Sequence, residues 1–175
     1  MTLTRCFDAA FPPETVPAGA GACLGYVGGR ATHVWTLEEW RRFAGLRQFP
    51  AWVLAVEGET GGGPVTQADE AVAAVKTLGW NERRAIIGDM ETSTDRAFWR
   101  AFETRVDELG YRAVAYGSQS TILQLDATRL WVALWNGQPT LPAGWRAHQY
   151  MSGGGLDWSV IGDLLLAQGG IGPRQ

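Results

Sequence analysis

Short apolar runs alternate with amphipathic stretches along the chain, and this alternation constrains the fold more than any other feature. Apolar runs of strand length occupy residues 3–9, 22–29, 51–59, 83–91, 111–118, 129–137 and 145–152. Helical patterns occupy residues 36–46, 66–80 and 93–110. Residues 120–125 leave room for little more than one helical turn, and 156–168 hold a short eighth strand or a final helix. Strands that alternate with helices predict a parallel α/β fold.

The number of strands indicates a closed barrel rather than an open sheet. The helical patterns fade after the fifth strand, because the later connections are too short for full helical crossovers. A regular eight-helix barrel takes about 250 residues, and this chain has 175. We therefore predict a reduced TIM-like (β/α) barrel of about five β/α units followed by three strands with short connections. It is predicted to fill residues 1–168 as one domain, with 169–175 as a flexible tail.

Charge and composition exclude several classes of partner. The net charge is −3 without a Lys/Arg cluster, which argues against nucleic acid or an anionic membrane. No apolar run approaches the roughly 20 residues of a membrane span, and the start of the chain lacks the pattern of a secretory signal. Cys6 and Cys23 fall in predicted strands and are expected to be buried thiols. With His33 and His148 they do not form a zinc-ligand spacing, so we expect neither a metal nor a cofactor.

Polar and aromatic side chains stand where the predicted strands end. In a barrel of parallel strands these ends meet at one face, where such enzymes place their active sites. The residues at this face are Asp8, Glu57, Asp89, Glu91, Tyr116, Trp135, Gln149 and Asp157. The concentration of acids there is the strongest functional signal in the sequence.

Asp89 and Glu91 are two residues apart on a predicted strand, so their side chains point to the same side. Their Cα atoms are expected about 6.5–7 Å apart. Two carboxyl groups this close do not ionise equally, so one keeps its proton near neutral pH while the other stays charged. Glycoside hydrolysis uses such a pair, one acid for the leaving oxygen and one carboxylate for the sugar carbon. The alternative is a structural pair satisfied by Arg83, Arg84 or loop amides.

A series of short segments carries a family resemblance. They are "FDAA" (7–10), "VEG" (56–58), "DME" (89–91), "AYGS" (115–118), "LWVALW" (130–135), "HQY" (148–150) and "GGGLDWS" (153–159). In order and spacing they resemble the glycoside hydrolase family 25 lysozymes, which are N-acetylmuramidases, and an adjacent glycoside-hydrolase-like domain family of unknown function. The resemblance implies a flattened barrel of five β/α units followed by three strands.

The resemblance also implies roles for the residues at the strand ends. Glu91 matches the general acid, and Asp89 matches a partner that acts as nucleophile or orients the acetamido group of the substrate. The matches to further cleft acids and to sugar-contacting positions are Asp8, Asp157, Tyr116, Trp135 and Gln149. Glu57 is a further substrate-binding candidate, because it ends the third predicted strand.

Two departures from the family pattern stand out. The Lys that usually precedes the Glu-Gly of the third strand is absent from "LAVEG". His148 replaces the Trp of a late Trp-Gln-Tyr segment. Both changes bear on the exact substrate and on the activity that the resemblance implies.

The predicted function is cleavage of the β-1,4 bonds of peptidoglycan between N-acetylmuramic acid and N-acetylglucosamine, and the resemblance implies retention of configuration. The expected partner is the bacterial cell-wall glycan, reached as a phage lysin, as a virion component or by an unconventional export route. One alternative is a non-catalytic glycan-binding or structural module on the same scaffold. Another is a hydrolase in which the acids hold Mg²⁺ or Ca²⁺.

Overall fold

Eight strands close into a barrel in the computed structural model, which describes residues 3–56, 61–80, 83–91 and 93–171. The strands are β1 (Thr4–Asp8), β2 (Ala22–Gly29), β3 (Arg47–Val53), β4 (Ala85–Asp89), β5 (Arg112–Ser118), β6 (Leu130–Ala133), β7 (Ala147–Gly153) and β8 (Leu156–Ile161). Each strand pairs with the next one along the chain, and β8 pairs with β1. The predicted TIM-like barrel is confirmed.

The direction of β8 differs from that of the other strands. β1 to β7 run parallel, whereas β8 is antiparallel to both of its neighbours, β7 and β1. A two-residue turn at Gly154 and Gly155 reverses the chain, and φ angles of +66° and +78° there suit a type I′ hairpin. The N-terminal end of β8 therefore lies at the same face as the C-terminal ends of the seven other strands.

Helices cover the outside of the barrel between β2 and β6. They are α1 (Leu37–Arg42), α2 (Pro64–Thr77), α3 (Arg96–Glu108) and the single turn α4 (Gln119–Ile122), and α5 (Asp163–Leu166) follows β8. Thr36 caps α1 in a capping box with Glu39, and Asp95 caps α3. The helices shorten after β5 as predicted, and 156–168 contain both a strand and a helix. No helix in the described part of the chain is long and apolar enough to cross a membrane.

Part of the segment 169–175, which the sequence predicts as a flexible tail, pairs with the barrel. Gly170–Ile171 forms a two-residue strand, β9, which pairs antiparallel with Arg47 and Gln48 of β3. The backbone N–H of Ala85 also donates to the carbonyl of Gln168. Residues 172–175 lie outside the described residues.

The third strand begins and ends earlier than the sequence predicts. The prediction placed it at 51–59, whereas β3 spans Arg47–Val53 and includes Pro50. On one side of β3, the partner changes from β9 at Gln48 to β4 at Ala51. Pro50 lies in the gap between these two pairings, where its missing N–H interrupts no pairing on that side.

Two apolar layers are separated by the wall of the barrel. The interior contains Cys6, Leu24, Phe49, Ile87, Val114, Trp131, Ala147 and Ile161. Alternate residues on the same strands, such as Phe7 and Cys23, face outward and belong to the core under the helices. Cys6 and Cys23 are buried and free, so the prediction of buried thiols is confirmed.

Candidate functional site at the mouth of the barrel

Polar side chains continue the inward-facing rows at the C-terminal end of the parallel strands. Because side chains alternate along a strand, a residue two positions after an interior apolar residue also points inward. The inward-facing residues of this layer are Asp8, Tyr26, Asp89, Tyr116, Gln149 and Asp157. They form a polar layer above the apolar interior, at one mouth of the barrel.

Asp8 and Asp157 are register partners across the pairing of β1 with β8. Side chains directly opposite each other in an antiparallel pair lie on the same face of the sheet. Asp8 is 4% exposed, and Asp157 is partly exposed. Burial raises the pKa of Asp8 to about 7, and the charge of Asp157 adds to the effect. A proton is therefore available on this side of the mouth near neutral pH.

Asp89 is the last residue of β4, and the residue is 1% exposed. Its Oδ1 atom has no hydrogen-bond partner among the described residues. Burial raises the pKa of Asp89 well above its usual range, and the charges of Glu91 and Asp8 add to the effect. The sequence analysis left open that an arginine such as Arg84 bonds to Asp89 and Glu91. Arg84 lies at the opposite end of β4, where it donates to the carbonyl of Gly169 instead.

Glu91 lies beyond the end of β4, because the strand ends two residues earlier than predicted. Between the two acids, Met90 is fully buried and its N–H donates to the carbonyl of Tyr116 at 2.9 Å. The side chain of Glu91 is exposed. The structure thus brings Asp89 and Glu91 near enough for their charges to interact, with one carboxyl buried and the other open to solvent.

Gln149 connects opposite sides of the mouth. The hydroxyl of Tyr116 donates to Oε1 of Gln149 at 2.8 Å, and Nε2 of Gln149 is 3.4 Å from Oδ1 of Asp8. Gln149 is fully buried, so these contacts fix the direction of its amide. The amide donates toward Asp8 and opposes the rise in the pKa of that carboxyl.

The sequence analysis also selected Trp135 and Glu57. Trp135 lies two residues beyond the end of β6 and is 64% exposed. Glu57 lies outside the described residues, in the gap between 56 and 61.

Tyr26 belongs to the site, although the sequence analysis did not select it. Burial and the charges of Asp8, Asp89, Glu91 and Asp157 raise the pKa of its hydroxyl, so Tyr26 lies near all four acids. The available signal was its position two residues after Leu24, near the end of the second apolar run.

The chemistry of this group is that of proton donors and acceptors. Within the ranges that the structure describes, no cluster of three or more His, Cys, Asp or Glu side chains could hold a metal ion. The mouth combines buried carboxyl groups with raised pKa values, an exposed carboxylate, two phenols and an oriented amide. Such a set can transfer protons and hydrogen-bond to hydroxyl and amide groups of a ligand.

A glycoside-hydrolase-like barrel is the class of protein that this fold defines. The chain belongs to the Rv2525c-like, glycoside hydrolase-like domain family, whose model matches residues 16–160. The resemblance to glycoside-hydrolase-like proteins is therefore confirmed. No protein of curated function matches the chain in a sequence comparison.

Solved structures share the fold at low sequence identity. An uncharacterized B. stearothermophilus protein is 16% identical with a TM-score of 0.77, over 95% of this chain and 100% of that one. A bacterial lysozyme from Streptomyces coelicolor is 17% identical with a TM-score of 0.69, over 94% and 96%. The Clostridium perfringens spore cortex lytic enzyme SleM is 15% identical with a TM-score of 0.66, over 92% and 67%.

Proposed function

We propose that this chain is a muramidase-type glycosidase that cleaves the β-1,4 bonds of peptidoglycan between N-acetylmuramic acid and N-acetylglucosamine. The observation that carries the proposal is the buried carboxyl of Asp89, with an unpaired oxygen, beside the exposed carboxyl of Glu91. An unpaired buried polar atom costs free energy, and a ligand that bonds to it offsets that cost. Its position at the barrel mouth supports a substrate as that ligand.

The proposed chemistry uses one proton shared by Asp89 and Glu91. Burial and the neighbouring charge raise the pKa of Asp89, so the proton rests on this residue in the free protein. Following the family resemblance, Glu91 protonates the leaving glycosidic oxygen after it receives the proton of the pair. Asp89, then ionised, attacks the sugar carbon or orients the acetamido group. Water then attacks the sugar carbon and breaks its bond to Asp89 or to the acetamido oxygen, and the proton that the water gives up returns to the pair.

The surrounding residues suit a sugar ligand. The exposed ring of Trp135 offers a flat apolar face for a pyranose ring. Asp8, Asp157, Tyr116 and Gln149 supply hydrogen-bonding groups for hydroxyl and acetamido substituents. We propose the bacterial cell wall as the place of action, with the chain as a phage lysin, a virion component or an exported protein.

The test is hydrolysis of purified peptidoglycan, followed by turbidity and by mass spectrometry of the released fragments. We expect clearing with N-acetylmuramic acid at the new reducing ends, because a muramidase leaves that sugar there. Glu91→Gln and Asp89→Asn are expected to lower the rate by roughly 10²–10⁴. Glu38→Gln, which changes an exposed acid in the first turn of α1, is the control and should retain full activity. If wild-type protein fails to clear several cell-wall types, the hydrolase proposal is wrong.

A non-catalytic glycan-binding module is the second candidate. The observation that favours it is the neutral character of the inner mouth, because burial keeps protons on Asp8 and Asp89. Neutral carboxyl groups, with the amide of Gln149, suit hydrogen bonding to a sugar as well as catalysis. Co-sedimentation with insoluble peptidoglycan, without release of soluble fragments, would identify this function.

A further inference from the structure

His148 makes two hydrogen-bond contacts that only one of its charge states satisfies. The ring is fully buried on the outward face of β7. Its Nδ1 atom is 2.6 Å from the carbonyl oxygen of Thr140, and its Nε2 atom is 2.9 Å from that of Leu134. A carbonyl oxygen only accepts, so both ring nitrogens have to donate. An imidazole carries a hydrogen on each nitrogen only when it is protonated.

A neutral ring would lose one of these two contacts. One nitrogen of a neutral imidazole presents a lone pair, which faces a carbonyl oxygen that cannot donate to it. In a fully buried position neither atom has water as a substitute, so the unmatched pair is costly. Two charge-assisted hydrogen bonds offset the burial of the positive charge in the protonated form.

The two carbonyl groups mark both ends of the loop segment 134–140, which is the first part of the connection 134–146 between β6 and β7. Trp135 follows Leu134 directly, and residues 135 to 140 are exposed. Between the ends, the N–H of Gly137 donates to the carbonyl of Tyr150 at 2.9 Å. His148 therefore holds the point at which the connection leaves β6 and a second point six residues further along it.

We propose that protonated His148 is a positioning residue, which holds the loop 134–140 and so directs Trp135 toward a glycan bound at the mouth. This inference rests on the proposed glycan function. When His148 loses its proton, it releases one carbonyl group, the loop loosens and glycan affinity falls.

The positive charge of His148 is stabilised by the two carbonyl oxygens and not by the other groups around the ring. Its register partners are Val132 on β6 and Val160 on β8. The rings of Trp145 and Tyr150 are 5.4 and 6.4 Å away between centroids, and of these neighbours Tyr150 titrates. The nearest charged residue along the chain is Arg146, just before β7. No carboxylate is among these contacts.

The direct test is nitrogen-15 NMR of the imidazole rings in the full chain. The sequence has two histidines, so His33→Gln leaves the signals of His148 alone. We expect both ring nitrogens to carry protons at about pH 6 and one of them to lose its proton by about pH 9. Amide exchange at Gly137, corrected for its intrinsic pH dependence, should then become roughly tenfold faster, as expected for the loss of one hydrogen bond to a charged group. A singly protonated ring at about pH 6 overturns the proposal.

The functional test compares wild type with His148→Gln in binding soluble peptidoglycan glycan fragments, measured by calorimetry. A glutamine amide donates to one carbonyl and does not titrate in this range. We expect the variant to bind roughly tenfold more weakly at about pH 6 and as weakly as wild type at about pH 9. Trp135→Ala is expected to remove the pH dependence, and His33→Gln to preserve it.

The outcomes separate the two proposals. An identical pH dependence in wild type and His148→Gln would overturn the positioning role, while glycan binding itself stands. If the fragments do not bind wild type at either pH, the glycan function fails. The nitrogen spectra and the exchange of Gly137 then still decide whether His148 holds the loop, because neither measurement needs a ligand.

Discussion

At the scale of the residue, the buried acids make the stability of the protein depend on pH in an unusual direction. Most carboxyl groups in proteins stabilise the fold when they are ionised, because they have partners. Asp8 and Asp89 have raised pKa values, chiefly through burial, so each is more easily accommodated when it is protonated. A site built from such groups therefore lowers the stability of the barrel as the pH rises.

The variant Asp8→Asn tests how much the ionisation of buried Asp8 lowers the stability of the fold. Unfolded Asp8 releases its proton near 3.8, whereas the folded residue keeps it to about pH 7. The folded state thus binds more protons in this window, and the free energy of unfolding falls as the pH rises through it. The variant lacks this loss. We therefore expect its free energy of unfolding to match that of wild type at about pH 4 and to exceed it by up to about 4 kcal/mol at about pH 8.

Urea unfolding of wild type and Asp8→Asn at both pH values checks this expectation. Asp163→Asn, which changes an exposed acid at the start of α5, is the control and should show no such dependence. An equal difference between Asp8→Asn and wild type at acidic and alkaline pH would contradict the assignment of the cost to Asp8.

Gln149→Met tests whether the amide tunes Asp8. Methionine has a similar length but no N–H, so the contact that opposes the rise in the pKa of Asp8 is lost. We expect the pKa of Asp8 to rise above about 7, measured from its carboxyl carbon by NMR titration. Gln48→Met is a matched control, because Gln48 is equally buried at the opposite end of the barrel. An unchanged titration of Asp8 in Gln149→Met would show that the amide does not act on it.

At the scale of the element, the β7–β8 hairpin determines where Asp157 lies. Gly155 has a φ of +78°, and an added Cβ would meet no atom within 4 Å, so backbone strain is the cost of a side chain there. Gly155→Ala is expected to lower the free energy of unfolding by about 1–2 kcal/mol. The control Gly153→Ala also adds a methyl group in open space, but at a residue without positive φ. Equal urea midpoints for the two variants would argue against the strained turn.

Periodicity predicted most elements because the apolar pattern decides which face of each element is buried. The exceptions have local causes. The predicted third strand begins at residue 51, after Pro50, and the change of partner strand beside Pro50 explains why β3 tolerates a proline. The sequence pattern also placed Asp89 and Glu91 on one strand, but it could not separate a buried acid from an exposed one. That difference depends on where β4 ends, which is set by its pairing with β5.

The sequence could not predict which side chains contact one another at the mouth of the barrel. Gln149 was selected at a strand end, but its contacts with Tyr116 and Asp8 join strands that are far apart in the chain. Tyr26 was missed for the same reason, since its importance comes from acids on other strands. The sequence thus indicated which positions meet at the mouth, whereas closure of the barrel decides which groups interact.

At the scale of the whole molecule, the barrel encloses one thiol and covers another. Cys6 faces the interior and Cys23 lies under the helices, and neither is exposed. We expect the variant Cys23→Ser, which leaves Cys6 alone, to react with a thiol reagent only when the barrel opens. Its labelling rate should therefore give the same free energy as global urea unfolding.

Ala10→Cys, at an exposed position beyond β1, serves as the reactive control for the thiol measurement. It should react at the rate of a free thiol under native conditions. Labelling of Cys6 that is nearly as fast, and independent of urea, would mean that the barrel opens locally between β1 and its neighbours.

The antiparallel strand β8 also has a consequence for the order of events during synthesis. The parallel strands can be added one after another as the chain leaves the ribosome, but β1 lacks its second neighbour until β8 arrives. Asp8 and Asp157 meet only across that last pairing. The acidic mouth is therefore incomplete in every shorter nascent chain, and the cell makes this site only when the barrel closes.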